Sequence, residues 1–171
     1  MRANAPRSVL FGALLLLAGC LNPFAPGFDE NAGVANSILG DQKTVEGVFQ
    51  NFRYSYSFRD TTIYSQLLDR NFVFVYRDFD RGFDVPWGRE EDMRTTYGLF
   101  QNVHNLDLVW NNIISFSGDS LKSNITRGFN LTVTFNPNDI TRIDGYANLT
   151  LERKNLADIW KISRWRDESN F

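Results

Sequence analysis

Tyr54, Tyr56, Tyr76 and Asp78 are the residues of this chain whose types and spacing come nearest to acid–base chemistry. A carboxylate base facing a buried hydroxyl donor can move a proton beside a carbonyl, provided burial tunes both groups. Tyrosines in an aromatic core more often bury the ring and satisfy the hydroxyl, so no catalytic residue is assigned. His104 is the sole histidine and Cys20 the sole cysteine. With Val103 and Asn105 as neighbours, His104 reads as a surface or turn residue. Asp78, Asp80, Gly82 and Asp84 have the look of a calcium loop. That loop needs Gly at its sixth position and Glu at its twelfth, where this chain has Phe83 and Arg89. A solvated turn is expected instead, with no metal. The sequence has no Gly-rich phosphate loop, no paired cysteines and no Ser-His-Asp set, and no cofactor is expected.

Arg127 breaks an otherwise apolar phase formed by Ile125, Phe129, Leu131, Val133 and Phe135. A charge on such a face must be paired or point into a wet cavity. Two placements are open: solvent near a strand end, or a pocket site for an anionic ligand. Three sequons, at Asn124, Asn130 and Asn148, read as polar residues on the outer faces of strands.

The elements that position these groups fall into two halves. Val45, Val48, Phe49, Phe52 and Tyr56 recur at spacings of three and four, which predicts a helix over Thr44–Phe58. Asp60 can cap a second short helix with Ile63, Leu67 and Leu68 on one face. Phe72–Tyr76 reads as a strand, and Phe83–Trp87 as its short partner, ended by Pro86. Arg89–Phe100 reads as a third helix, with Glu90, Glu91 and Asp92 favouring the positive end of its dipole. The second half alternates apolar and polar residues through Leu106–Phe116, Ile125–Phe135, Ile143–Leu151 and Ile159–Asp167. Four such strands joined by turns form an antiparallel meander with one apolar face. Helices covering that face give an α+β layer structure.

The N-terminus carries an export pattern. Arg2 and Arg7 precede an apolar run, Val9–Ala18, which is about half the length a membrane-spanning helix needs. Leu17-Ala18-Gly19-Cys20 then resembles the lipobox of bacterial lipoproteins. The resemblance implies cleavage after Gly19 and lipid on Cys20, with more than one acyl chain for stable anchoring. It implies an exported protein of the cell envelope. Asp at position 21 would resemble an inner-membrane retention signal; Leu21 in its place favours the outer membrane facing the periplasm. Residues 20–40, broken by Pro23, Pro26, Gly27, Gly33 and Gly40, read as a tether of about 25 Å mean span. The expected organisation is a signal over 1–19, a lipidated tether over 20–40 and one domain over 41–171.

Removing residues 1–19 leaves 16 basic and 20 acidic residues, a formal charge of −4. That balance gives no electrostatic case for a nucleic-acid partner. Aromatic residues make up 15% of the chain, enough to build a bulky core or line a pocket.

Helix, helix, short hairpin, helix and four long strands, in that order, resemble the nuclear transport factor 2-like (NTF2-like), or cystatin-like cone, superfamily. Three segments carry the likeness: Leu67–Phe74 where helix hands over to strand, Trp87-Gly88-Arg89-Glu90-Glu91 entering the third helix, and Ile159–Asp167 with its Trp-x-Ile and following Trp and acid. The resemblance implies three helices on a strongly curved, mainly antiparallel sheet of about six strands, with a conical pocket between them. The enzyme families of the superfamily with a His-Asp or His-His pair are not matched: one histidine cannot make a His-His pair, and His104 reads as a surface or turn residue rather than a base. The pocket candidates are Phe52, Tyr56, Tyr76, Trp87, Trp110, Arg127, Phe129 and Trp165. The expected role is non-enzymatic binding of a small amphipathic ligand or a protein partner. The alternatives are an isomerase, dehydratase or cyclase of the ketosteroid-isomerase-like class, and an oligomeric scaffold that dimerises through its sheet face.

Overall fold

The computed structural model describes residues 38–169. Gly19, Cys20, the export segment and residues 20–37 of the expected tether lie outside the described residues. Among the described residues, no helix is long and apolar enough to cross a membrane.

Three helices open the fold: α1 (Val45–Ser57), α2 (Thr61–Leu67) and, after a hairpin, α3 (Arg89–Asn102). Thr44 caps α1 by accepting from the Gly47 N–H, and Asp60 caps α2 by accepting from Thr62 and Ile63, each satisfying donors the first turn leaves open. Gly47 is required there, because a Cβ would sit 1.9 Å from the Asp41 carbonyl oxygen. Gly40 exchanges two hydrogen bonds with the Asn51 side chain, at 2.7 and 3.0 Å, which ties the chain before α1 to that helix.

The strands are β1 (Leu68–Asp78), β2 (Phe83–Gly88), β3 (Asn105–Gly118), β4 (Lys122–Asn136), β5 (Asp139–Glu152) and β6 (Lys161–Ser169). They form one sheet in the order β2-β1-β6-β5-β4-β3. Every pairing is antiparallel except β1 with β6, which run parallel. The architecture is therefore three helices on a six-stranded mixed sheet, α+β as expected. Shifts in register interrupt β3–β4 near Ile113 and β5–β6 near Thr150, and such irregularities bend strands.

The core lies between α1 and the inner sheet face, where Val48, Phe49, Phe52, Leu106, Ile125, Leu149, Leu151 and Ile162 are all buried. Two elements differ in detail from the sequence reading. On α2 the core face is Tyr64 with Leu67, and Ile63 is half-buried. Ile159 and Trp160 precede β6 rather than belong to it. The Trp160 N–H donates to the Gln42 carbonyl, and Arg153 lies over the indole at 4.2 Å.

Candidate functional site

The inner face of the sheet and α1 do not close completely. Between them lies a cavity of about 110 Å³. Helix α1 supplies Phe52 and Tyr56, one turn apart. The strands supply Phe74, Leu108, Trp110, Phe129, Leu131 and Ile143, with Trp165, Asp167 and Ser169 from alternate positions of β6. Alternate residues of a strand share a face, so these three necessarily line the cavity together. Trp165 meets Phe52 edge-on at 5.3 Å and Phe74 at 4.9 Å between ring centres. Trp110 is fixed from behind, its Nε1–H donating to the Phe49 carbonyl at 3.0 Å. A second hollow of about 390 Å³ lies at the rim, between Tyr76, Arg77 and Phe79 on one side and residues 166–169 on the other. Asp167 and Ser169 border both spaces.

Asp167 is the ionisable group of the cavity with the least ordinary setting. Burial pushes its carboxyl above the usual value of 3.8, and hydrogen bonds from Ser169 pull the other way. The Ser169 hydroxyl donates to Oδ2 at 2.8 Å. The other oxygen, Oδ1, is buried without a hydrogen-bond partner among the described residues, and so is the Trp165 Nε1–H. A close approach fixes this end of β6, since a Cβ on Gly145 of β5 would lie 2.4 Å from the Ser169 Cα.

Behind the cavity wall lies a second buried carboxylate. Asp92, on the first turn of α3, accepts from the Tyr64 hydroxyl at 2.7 Å and from the Trp87 Nε1–H at 3.1 Å. Burial raises its pKa, while those two hydrogen bonds lower it. Tyr56 connects the two carboxylates. Its hydroxyl is pushed far above the ordinary range, first by burial and then by the charges of Asp92 and Asp167, against hydrogen bonds with Tyr64 and Thr96. Tyr56 is thus a neutral donor at any physiological pH.

The sequence candidates divide by position. Phe52, Tyr56, Trp110, Phe129 and Trp165 line the cavity. Tyr76 lines the rim hollow. Trp87 stacks on the outer side of Phe74 at 4.6 Å and serves Asp92. Arg127 does not reach the cavity, and it is not in solvent either. Its side chain is 13% exposed, with Nη1 donating to Glu46 at 2.8 Å. Nε donates to the Asn111 carbonyl at 2.8 Å, and the guanidinium lies 4.7 Å from the Phe49 ring centre. The charge is paired by a residue of α1, and the group braces β4 against that helix. Asp78 ends β1 and accepts from the Arg81 N–H of the turn that follows. Among the described residues no cluster of three or more His, Cys, Asp or Glu could hold a metal.

Asp167 and Asp92 are the polar residues the sequence reading missed. The spacing of Asp167 two residues after Trp165 is a signal for a shared face. Asp92 at a helix start reads as a dipole partner, and only the packing of Tyr64 and Trp87 turns it inward.

No family model matches this chain, and no curated protein matches it. Solved structures do. A conserved protein from Planctomyces limnophilus superposes with a TM-score of 0.65 at 15% identity, over 76% of this chain and 96% of that one. A candidate scytalone dehydratase from Novosphingobium aromaticivorans gives 0.63 at 13%, over 74% and 82%. A candidate dehydratase of the NTF2-like family from Streptomyces avermitilis gives 0.59 at 16%, over 74% and 94%. The likeness is one of fold: this chain has the NTF2-like cone. That fold hosts many unrelated functions, so the activity must be argued from the cavity.

Proposed function

We propose that this protein binds a small amphipathic molecule in its aromatic cavity, at the bacterial cell envelope, where lipid on Cys20 holds it. The observation that carries the binding reading is the cavity wall. It is built of aromatic and aliphatic side chains with Tyr56, Asp167 and Ser169 as its few polar members, the composition typical of small-molecule sites. The lipid anchor and the periplasmic outer-membrane address are supported by the Leu17–Cys20 pattern and the arginine-led apolar run before it. Trp110 and Trp165 line the cavity, so their fluorescence reads occupancy directly. Titration of the domain with a panel of lipids and metabolites, followed by thermal shift, should show quenching and stabilisation by apolar compounds with a polar head. A domain indifferent to the whole panel removes the pocket reading. Lipidation is checked by mass spectrometry: the full chain should carry a diacylglyceryl mass that Cys20→Ala abolishes.

A second reading has one observation in its favour. Asp167, a buried carboxylate with a raised pKa, and Tyr56, whose hydroxyl stays neutral, both belong to the cavity wall, and such a pair is the raw material of a ketosteroid-isomerase-like base and donor. On this reading Asp167 takes a proton α to a carbonyl. Deuterium exchange into cyclic ketones, followed by NMR, decides it. Exchange catalysed by the wild-type domain and lost in Asp167→Asn supports the enzyme, whereas ketone binding without exchange leaves the binder.

A further inference from the structure

A hollow of about 900 Å³ lies where the end of α2, the start of β1, the first residue of α3 and the β5–β6 connection meet. It shares no wall residue with the aromatic cavity, and its size is that of a small-molecule site. A break in sheet register borders it. Leu68 of β1 pairs with Ile162 of β6, and the next paired residue of β1, Val73, meets Arg164. Five steps along β1 thus face two along β6, which leaves three residues surplus to the ladder. Asp69, Arg70 and Asn71 of that bulge line the hollow.

Its walls carry five cations, Arg70, Arg89, Arg153, Lys154 and Lys161, against three carboxylates. Each carboxylate is engaged elsewhere. Glu152 pairs with Lys122 at 2.7 Å, Asp69 accepts from the Asn71 N–H at 2.8 Å, and Asp158 accepts from the Asn155 amide at 2.8 Å. Among the described residues no ion pair joins any of the five cations to a carboxylate. Arg89, Arg153 and Lys161 are half-buried, where an unpaired charge costs more than in open water.

The end of α2 brings two of these cations together. Carbonyls of a last helical turn lack intrahelical partners. Arg89 Nη2 donates to the Ser65 carbonyl at 3.0 Å, and Lys161 Nζ donates to that of Gln66, the next residue. Burial holds the Lys161 ammonium below its ordinary value of 10.5; the Asp69 charge opposes that, and the Arg89 charge adds to it. Capping α2 uses one donor of each group, whereas a guanidinium has five and an ammonium three. The cap explains where the two groups sit and leaves their charge unanswered.

The missing partner is an anion with several oxygens. A carboxylate offers two oxygens and one charge. A phosphate monoester offers three free oxygens and up to two charges, and guanidinium and ammonium groups are its usual donors. Arg153 is fixed by the Ser120 carbonyl and the Trp160 ring, and it adds charge to the wall. We infer that this hollow binds a phosphate group carried on a small organic body, with Arg89 and Lys161 on the phosphate oxygens and Arg70 and Lys154 adding positive charge around them. The site is separate from the aromatic cavity, so its test does not depend on the binding reading above.

Four probes carry the test: glycerol 3-phosphate, glycerate, glycerol, and dihexanoylphosphatidylglycerol below its micelle concentration. Each is titrated by calorimetry into the full chain at constant ionic strength. At least one phosphate probe should bind about ten-fold or more tightly than glycerate, the ratio expected for one further charge-assisted hydrogen bond. Glycerol should not bind. A tighter monoester assigns the site to soluble phosphate esters, and a tighter lipid assigns it to membrane headgroups; both orders support the phosphate site. Arg89→Gln and Lys161→Gln should each weaken the phosphate probe about ten-fold or more. Both side chains also cap α2, so the double variant Arg70→Gln/Lys154→Gln, which removes two exposed charges, guards against a folding failure and should weaken binding about three-fold. Arg94→Gln removes the same charge outside the hollow, from a side chain that is 72% exposed, and should change binding less than about two-fold. Glycerate binding as tightly as both phosphate probes, or no binding of either phosphate probe, overturns the inference. A loss in Arg94→Gln equal to that in the hollow variants, or unchanged binding in all of them, overturns it as well.

Discussion

Asp92 and Asp167 are the same side chain in two settings, and the difference separates a fully satisfied buried carboxylate from a half-satisfied one. Burial raises the pKa of both. Asp92 has each oxygen occupied, one by Tyr64 and one by Trp87, in a buried pocket behind the core. Asp167 has one oxygen on Ser169 and the other buried without a partner among the described residues. A fully satisfied buried network specifies packing, whereas a half-satisfied one is held at a cost. The fold carries that cost on a residue of the cavity wall.

The largest expected effect comes from breaking the satisfied site. Asp92→Leu should destabilise the domain by about 3 kcal/mol, because it orphans both the Tyr64 hydroxyl and the Trp87 Nε1–H; urea unfolding measures it. Asp167→Leu should cost far less, or stabilise by about 1 kcal/mol, since it removes a group already half unpaired. If the two variants fall together, the contrast between the carboxylates is wrong.

The pH profile sharpens the same contrast. A raised pKa means that the folded domain holds the Asp167 proton to higher pH than the unfolded chain does. Its contribution to stability is full below the ordinary value of 3.8 and is lost as the pH rises through the raised value. Asp167→Asn cannot ionise, so its melting temperature should gain on that of the wild type as the pH climbs from about 4 to about 8. A constant difference across that range refutes the assignment. The smallest effect is at the brace. Glu46 is 69% exposed, so Glu46→Gln should change stability by less than about 1 kcal/mol, while Arg127→Ala should exceed it through lost packing on Phe49.

What the sequence made legible is what local patterning controls. The stripe Val48, Phe49, Phe52, Tyr56 marks α1, the caps Thr44 and Asp60 mark helix starts, and the alternation along β4 marks its inner face. The cone then follows from the order of elements. Long-range partnership was not legible. Nothing in the spacing around Arg127 shows that Glu46 will meet it from another layer, and nothing near Asp92 announces Tyr64. The two orphaned atoms depend on which neighbours are missing, a property of the assembled cavity alone. Asp167 is the intermediate case, where the period-two spacing from Trp165 gave a usable signal.

The parallel pairing of β1 with β6 has a consequence for how the chain is made. β6 follows β1 by roughly ninety residues, yet it sits between β1 and β5 in the sheet. Until it is synthesised, the β1–β2 hairpin and the β3–β5 meander are separate pieces, each with a bare edge. Exposed strand edges invite pairing with other chains, and such distant closure makes folding slow. A ribosome-bound chain lacking β6 has no finished cavity, so the last strand to arrive both seals the aggregation-prone edges and completes the cavity wall.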